Sequence, residues 1–231
     1  MVVRNIECID KHKITGLICA YNEANNLPFV LNRIPDWVDE VLLIDGHSTD
    51  ETVQIAKNIR PDIMIVQQPK TGKDDALKYD MGLVTGDIIV MLDADGATDP
   101  TEMDKFIKPL FEGYDFVKGS RFLNTRPQKL PWYRHFGNWV LVTETNLLFR
   151  TKFTDVCSGY NAFWNTAWKE IDFPDDFGYE PLIILRAKRA GLRIIEVSHH
   201  DNGRISGKSK LPNWGQGWGA FKAIWKERFF G

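Results

Sequence analysis

Five apolar residues, Ile88 to Leu92, run without interruption into Asp93-Ala94-Asp95-Gly96. A run of that length and composition predicts a strand buried on both faces, as strands are in a parallel sheet. Open sheets of this kind bind their ligands beyond the carboxyl ends of the strands. Asp93 and Asp95 therefore fall where the chain leaves the core for the ligand edge. Two carboxylates beside a flexible glycine suit a hard divalent cation such as Mg²⁺ or Mn²⁺. A strand-end turn with solvated acids would give the same local pattern, so the other strand ends must decide between the two readings.

The pattern upstream repeats that design. Lys13 to Ala20 reads as a first strand that delivers Tyr21-Asn22-Glu23 at its carboxyl end. Asn25 to Ile34 reads as a helix, with Leu27, Val30, Leu31 and Ile34 on one stripe and Pro35 as its stop. Glu40 to Ile44 is a second strand ending in Asp45-Gly46, and Ser48-Thr49-Asp50-Glu51 has the form of a capping box for a helix to about Ile59. A third strand is expected over 62–66, a helix over 74–84, and the fourth strand over 87–92. Asp99-Pro100-Thr101-Glu102 supplies an N-cap, a Pro at the first helical position and an acid at the third. Strand–helix alternation with short connections predicts a doubly wound α/β domain. Three acidic strand ends, carrying Glu23, Asp45 and the Asp93/Asp95 pair, then share one edge. Carboxylates so gathered repel one another unless a cation or hydrogen-bonding ligand holds them.

The alternation breaks after a fifth strand at 115–119. A helix is expected over 133–149, strands over 159–164 and 192–197, and a helix over 179–190 closed by Gly191. A polar Gly- and Lys-containing loop follows over 201–212. The last helix, 214–230, carries Trp214, Trp218, Phe221, Trp225 and Phe229 on one face, flanked by Lys222, Lys226 and Arg228. That face suits either packing in a core or lying on a membrane, where Trp and basic residues are favoured.

Composition bounds the function. At 231 residues, 43% hydrophobic and 26% charged, the chain has material for one large globular domain rather than a disordered segment. No apolar run approaches the ~20 residues of a membrane span, and Met1 to Lys13 lacks the apolar core of a signal peptide. Three widely spaced cysteines suggest neither a zinc site nor a disulfide framework, consistent with a cytoplasmic setting. Residues 1–100 hold 9 Lys and Arg against 17 Asp and Glu, whereas residues 101–231 hold 20 against 14, so an acidic half precedes a basic one. The basic half suits an anionic partner. Neither a Gly-x-Gly-x-x-Gly nor a Walker A sequence follows the first strand, which disfavours a dinucleotide-binding or P-loop protein.

With these motifs in order, the chain resembles the family 2 glycosyltransferases. The resemblance rests on Ala20-Tyr21-Asn22-Glu23, Ile44-Asp45-Gly46 through Thr52, Thr85-Gly86-Asp87 and Asp93-Ala94-Asp95. Gly119 to Phe122, Arg134, Asn138, Asp155, Ser158 to Phe163 and Arg204 to Leu211 narrow it to polyprenyl-phosphate sugar transferases, of which dolichyl-phosphate mannose synthase is the best known.

The resemblance implies a GT-A nucleotide-sugar fold, with a Rossmann-like, mostly parallel sheet in a single domain over 1–231. It divides into a nucleotide-sugar half (about 13–120), an acceptor half (121–211) and a C-terminal amphipathic helix (212–231). It implies inverting transfer from a nucleoside-diphosphate sugar to a polyprenyl phosphate at the cytoplasmic face of a membrane, with no nucleic-acid partner. Ala20, Tyr21, Asn22, Glu23, Asp45, Lys73 and Asp93 would hold the nucleotide. Asp93 and Asp95 would hold Mn²⁺ or Mg²⁺. Arg121, Arg134 and Ser158 would receive the acceptor phosphate, and Arg204 and Lys210 would act on the leaving diphosphate, with Glu180 as a candidate base.

The chain departs from the pattern at Gly46, where many relatives have an acid, at Asp74, where Gly often follows the basic residue, and at Ala97, which cannot ligate. Water, phosphate or a histidine such as His199 or His200 would therefore complete the metal shell. The rival readings are transfer to a hydroxyl, with Glu180 or Asp155 as base, and a non-catalytic nucleotide-sugar scaffold.

Overall fold

The computed structural model describes residues 11–68, 82–125, 127, 130–171, 180–207 and 213–231. Seven strands form one sheet: β1 (Ile14–Ala20), β2 (Glu40–Asp45), β3 (Met64–Gln67), β4 (Ile88–Asp93), β5 (Phe116–Ser120), β6 (Asn161–Trp164) and β7 (Ile194–Ser198). Their spatial order is β3-β2-β1-β4-β6-β5-β7. β1 pairs in parallel with β2 and β4, and β3 extends the parallel block from β2. β6 is antiparallel to both β4 and β5, and β7 returns parallel to β5. One reversed strand therefore joins the two halves of the chain in one continuous sheet.

Period-two alternation divides each central strand between two cores. Leu17, Leu42, Ile44, Ile89 and Met91 enter one core. Ile14, Ile18, Val41, Leu43, Ile88, Val90 and Leu92 enter the other. The second core is closed by α1 (Leu27–Leu31), α2 (Thr52–Ile59) and α3 (Met103–Phe111). The first is closed by α4 (Trp132–Phe149), α5 (Asn165–Glu170), α6 (Glu180–Arg189) and α7 (Asn213–Phe230). Each large side chain buried in this way contributes about 1.5–3 kcal/mol, and stacked pairs such as Phe116–Phe163, 5.2 Å between ring centroids, add to that.

Two elements differ from the sequence expectation for identifiable reasons. α1 has five residues rather than the ten of 25–34: Asn26, whose side chain makes tertiary hydrogen bonds, is its N-cap and Asn32 its C-cap. α2 begins at Thr52 rather than at Ser48. Three of the four residues of the expected capping box, Ser48, Thr49 and Asp50, instead tie the β1 and β2 loops together. Ser48 Oγ accepts from Asn22 N at 2.8 Å, and Asn22 Oδ1 accepts from Thr49 N at 2.7 Å. Asp50 then accepts from Thr52 N at 3.0 Å. Around residue 100 the expectation holds, since Asp99 Oδ1 accepts from Thr101 N at 3.0 Å and Pro100–Glu102 form a 3₁₀ turn leading into α3. The helix expected over 74–84 lies outside the described residues apart from its end.

Candidate active site

The carboxyl ends of β1, β2 and β4 lie side by side: Cys19 is opposite Asp93, and Ala20 is opposite Asp45. The reversed direction of β6 brings its start, Ser158-Gly159-Tyr160, to the same edge. Gly159 is required there. A Cβ on it would stand 2.4 Å from Asp93 Oδ2, so only glycine lets that carboxylate lie against the backbone. Asn22 and His47, one on each neighbouring loop, adopt positive φ values of 54° and 63°. Left-handed backbone at two non-glycine residues of one edge is strain that the interloop hydrogen bonds sustain, and such strain gathers at functional sites.

Asp45 is buried, and its carboxylate accepts from Ser48 N at 3.1 Å. A cleft of about 330 Å³ beside it is lined by Val53, Lys57, Ile63 and Ile65; it shares only Asp45 with the acidic edge and does not define the site. Asp95 has its carboxyl pushed up to about 6 by burial and then by the charge of Asp93, against the pull of Ala97 N–H and Arg204. A carboxylate whose proton affinity is raised by a neighbouring carboxylate forms with it a natural seat for a divalent cation, which would relieve the repulsion. Among the described residues no third His, Cys, Asp or Glu joins them in a ligating cluster. Water and phosphate oxygens usually complete a Mg²⁺ shell, so the pair still fits such an ion.

His199 does not offer itself as the third ligand. Its Nδ1 lies 3.0 Å from the carbonyl of His200, which can only accept, so Nδ1 carries the proton. Nε2, 2.9 Å from Ser158 Oγ, is then the acceptor. Burial lowers the pKa of this imidazole and favours that neutral form. Ser158 is equally engaged, since its Oγ also accepts from Tyr160 N at 3.3 Å. The pair braces the Gly159 turn, and Ser158, expected on the acceptor phosphate, has its hydroxyl committed to that brace.

A buried charge cluster lies behind the turn. Arg121 donates to Asp155 through Nε at 2.7 Å and Nη2 at 3.0 Å, and the backbone N–H groups of Arg121 and Cys157 bond the same carboxylate at 3.2 and 2.9 Å. Burial works to raise the Asp155 pKa, but the charge and hydrogen bonds of Arg121, with Lys118, outweigh it and hold the pKa low. Lys118, fully buried in β5, donates to the carbonyl of Ser158. Across the register from Lys118, Glu196 accepts from Thr154 N and Asp155 N. Asp155 is thus a structural anion, unsuited to remove a proton. Glu180 opens α6 within the electrostatic reach of Lys118. Arg134 lies in the first turn of α4, one turn before Asn138, whose side chain donates to Thr154 O at 3.4 Å. Next to it His135 packs edge-on against Phe122 at 5.3 Å, which sets this end of α4 against the segment that carries Arg121.

The segment Asp201–Gly207 folds over the acidic edge. Asn202 N bonds Ala97 O at 2.9 Å, and Ile205 N bonds Asp95 O at 3.2 Å. Arg204 pairs with Glu23 at 2.5 Å and stands 3.7 Å from Asp95. The structure therefore brings together Glu23, Asp45, Asp93, Asp95 and Arg204. Lys73 and Lys210 lie outside the described residues. Lys118 and Asn26 were missed by sequence reasoning; a lysine inside the apolar strand Phe116–Ser120 was a signal for the first, and none marked the second.

The profile of glycosyl transferase family 2 matches residues 16–171. The chain is 30% identical over 210 residues to polyprenol monophosphomannose synthase of Mycolicibacterium smegmatis, covering 84% of this chain and 79% of that one. It is 28% identical over 213 residues to undecaprenyl-phosphate mannosyltransferase of Micrococcus luteus, covering 86% and 87%. It is also 31% identical over 183 residues to glycosyltransferase AglJ of Haloferax volcanii, covering 77% of this chain but only 59% of that longer protein. A crystal structure of glucosyl-3-phosphoglycerate synthase from Mycobacterium tuberculosis, with Mn²⁺, UDP-glucose and phosphoglyceric acid, superposes with a TM-score of 0.77 at 22% identity, covering 99% of this chain and 84% of that one.

The sheet and its flanking helices are those of a GT-A glycosyltransferase fold. The chain belongs to glycosyl transferase family 2 and is a glycosyltransferase.

Proposed function

We propose that the chain transfers a sugar, with inversion, from a nucleoside-diphosphate sugar to a polyprenyl phosphate. An oxygen of the acceptor phosphate attacks the anomeric carbon as the bond from that carbon to the diphosphate oxygen breaks. A phosphate monoester is already anionic at neutral pH and attacks without a general base, whereas a sugar hydroxyl normally needs one. The observation that carries the reading is the Arg121–Asp155 pair. The pair engages Asp155, one of the two candidate bases, in holding a guanidinium, which supports an acceptor that needs no base. The lipid-phosphate acceptors named for the mycobacterial and Micrococcus relatives support the same choice.

Asp93 and Asp95 would hold Mn²⁺ or Mg²⁺, which supplies Lewis-acid neutralisation of the leaving diphosphate. Arg204 adds fixed positive charge at the same place. Asp45 and Glu23 are assigned to the nucleoside, with Ala20, Tyr21 and Asn22 forming the floor. Arg134 and Arg121 are assigned to the acceptor phosphate.

Peripheral seating on a membrane fits the surface. α7 buries Ala220, Ile224 and Glu227 and exposes Trp218, Trp225 and Phe229 by 60, 45 and 56%. Lys222 and Arg228 lie over the rings of Trp218 and Phe229. The other reading of this stripe, burial in the core, fails at these three residues. α4, packed against α7, exposes Trp132, Phe136 and Trp139 as well. Among the described residues no helix is long and apolar enough to cross a membrane.

The test is a screen of UDP- and GDP-sugars with Mn²⁺ or Mg²⁺ and undecaprenyl phosphate as acceptor. Formation of a glycosyl-phosphoryl lipid is the expected result. Transfer only to hydroxyl acceptors would overturn the acceptor assignment. Nucleotide binding with neither transfer nor donor hydrolysis would point to a scaffold.

A further inference from the structure

Asn26 is 2% exposed, and its side-chain amide is fully used. Oδ1 accepts from Ser206 N at 2.8 Å, while Nδ2 donates to Ser206 O at 3.2 Å and to Glu23 Oε2 at 2.6 Å. Only one orientation of the amide satisfies these partners, since Ser206 N–H must meet an oxygen and the other two groups only accept. One side chain thus grips the backbone of Ser206 on both sides, as a neighbouring strand would. Arg204 shares both of its acceptors: Nε donates to Ser206 O at 2.8 Å and Nη2 to Glu23 Oε2 at 2.5 Å. Asn26, Ser206, Arg204 and Glu23 close a ring. Ile205, between the two gripped residues, sits over Gly96, where φ is +76° and a Cβ would meet Ile205 Cδ1 at 2.3 Å.

We propose that Asn26 is the positioning residue for Arg204: it sets the register of the Asp201–Gly207 segment and so holds the guanidinium between Glu23 and Asp95. The segment has a second, independent anchor in the Asn202–Ala97 bond and the Thr98–Asp201 bridge. Loss of Asn26 would therefore loosen the Arg204–Ser206 end, which keeps the backbone bond from Ile205 N to Asp95 O, while the Asp201 end stays docked. Asn26→Asp would set a second carboxylate within hydrogen-bond distance of Glu23 and should open the same end by repulsion. The consequence for sugar transfer rests on the function proposed above; the geometry of the grip does not.

Amide hydrogen exchange on the full chain reads the grip without any substrate. In Asn26→Ala, exchange at Ser206 should accelerate about tenfold, the loss expected for one hydrogen bond. Exchange at Asn202 and at Leu17 in β1 should stay as in the parent. An unchanged Ser206 rate would overturn the proposal. So would equal acceleration at all three amides, which would make Asn26 a general folding residue. In turnover, Asn26→Ala combined with Arg204→Ala should be no slower than Arg204→Ala alone, because both remove one function. A further full drop in the double variant would overturn the coupling. If no transfer is found with any acceptor, the exchange experiment still decides the grip by itself.

Discussion

Removing the charge of Asp155 should be among the most damaging conservative changes this protein can take. The carboxylate is wholly buried and accepts four hydrogen bonds, two from the Arg121 side chain and two from backbone N–H groups. It also faces the fully buried Lys118, whose pKa burial lowers and Asp155 raises. Asp155→Asn keeps the volume, but it turns one acceptor into a donor against the guanidinium and leaves that buried cation short of an anion. Breaking a buried pair from one side costs about 3–5 kcal/mol. For a domain of this size that is a fall of roughly 6–20 °C in Tm. Urea unfolding followed by the fluorescence of the eight tryptophans reads the loss directly.

The low pKa of Asp155 fixes the pH signature. The stability it contributes is fully present above the unfolded carboxyl value near ~3.9 and is lost as pH falls through the still lower folded value. Parent and Asp155→Asn curves should therefore lie furthest apart at neutral pH and converge in acid. The double variant Arg121→Met/Asp155→Leu should recover part of the loss, because a pair replaced by apolar groups leaves fewer buried charges unmatched. A loss under about 1 kcal/mol in Asp155→Asn, the range of an exposed ion pair, would refute the argument.

Three further outcomes are expected. Asp95→Asn should lose most turnover yet raise the urea midpoint of the metal-free protein at pH 7. A carboxyl pushed up to about 6 costs stability above that pH, and the cost disappears below the ordinary carboxyl range; in the parent, Mn²⁺ affinity measured by calorimetry should weaken as pH falls through about 6. Gly159→Ala should cut turnover more than tenfold, by displacing Asp93 Oδ2, while moving the urea midpoint by less than about 1 kcal/mol, because only a side-chain end must shift. At saturating donor, Arg134→Ala should raise the apparent constant for polyprenyl phosphate more than Glu180→Gln does; abolition by Glu180→Gln with nucleotide binding intact would favour a hydroxyl acceptor.

The parts of the site carried by strand ends were legible in the sequence. Apolar runs fixed β1, β2 and β4, and their ends placed Glu23, Asp45, Asp93 and Asp95 on one edge, because parallel strands all leave the core in the same direction. What closes the site was not legible. The direction of β6 depends on strand order, which Asn161 to Trp164 does not encode locally. The four residues from Ser48 to Glu51 look like a helix cap in isolation, yet Asn22 outcompetes the helix for two of them. Asn26 sat on a helix-like stretch and spends its amide on Ser206, 180 residues away. Long-range polar pairing leaves no periodic trace, so residues whose role is to meet a distant backbone escape a reading based on pattern.

The reversed strand also explains how an acidic half and a basic half come to share one site. Had β6 run parallel, its start would lie at the opposite edge and Gly159 could not meet Asp93. Because it is reversed, the Ser158–Gly159 turn lands on Asp93 while Lys118 in the next strand grips the same turn from behind. Arg121, at the end of that strand, is then fixed by Asp155, and the segment after β7 returns Arg204 to Glu23 and Asp95. Arg204 thus stands 3.7 Å from Asp95 and Arg121 lies beyond the Gly159 turn, each held by its own buried acid. Under the proposed function, two separately fixed cations suit two anionic groups, a leaving diphosphate at Arg204 and an attacking phosphate at Arg121. A neutral hydroxyl acceptor would need only one of those cations, and it would need a free base where this chain has placed the Arg121–Asp155 pair.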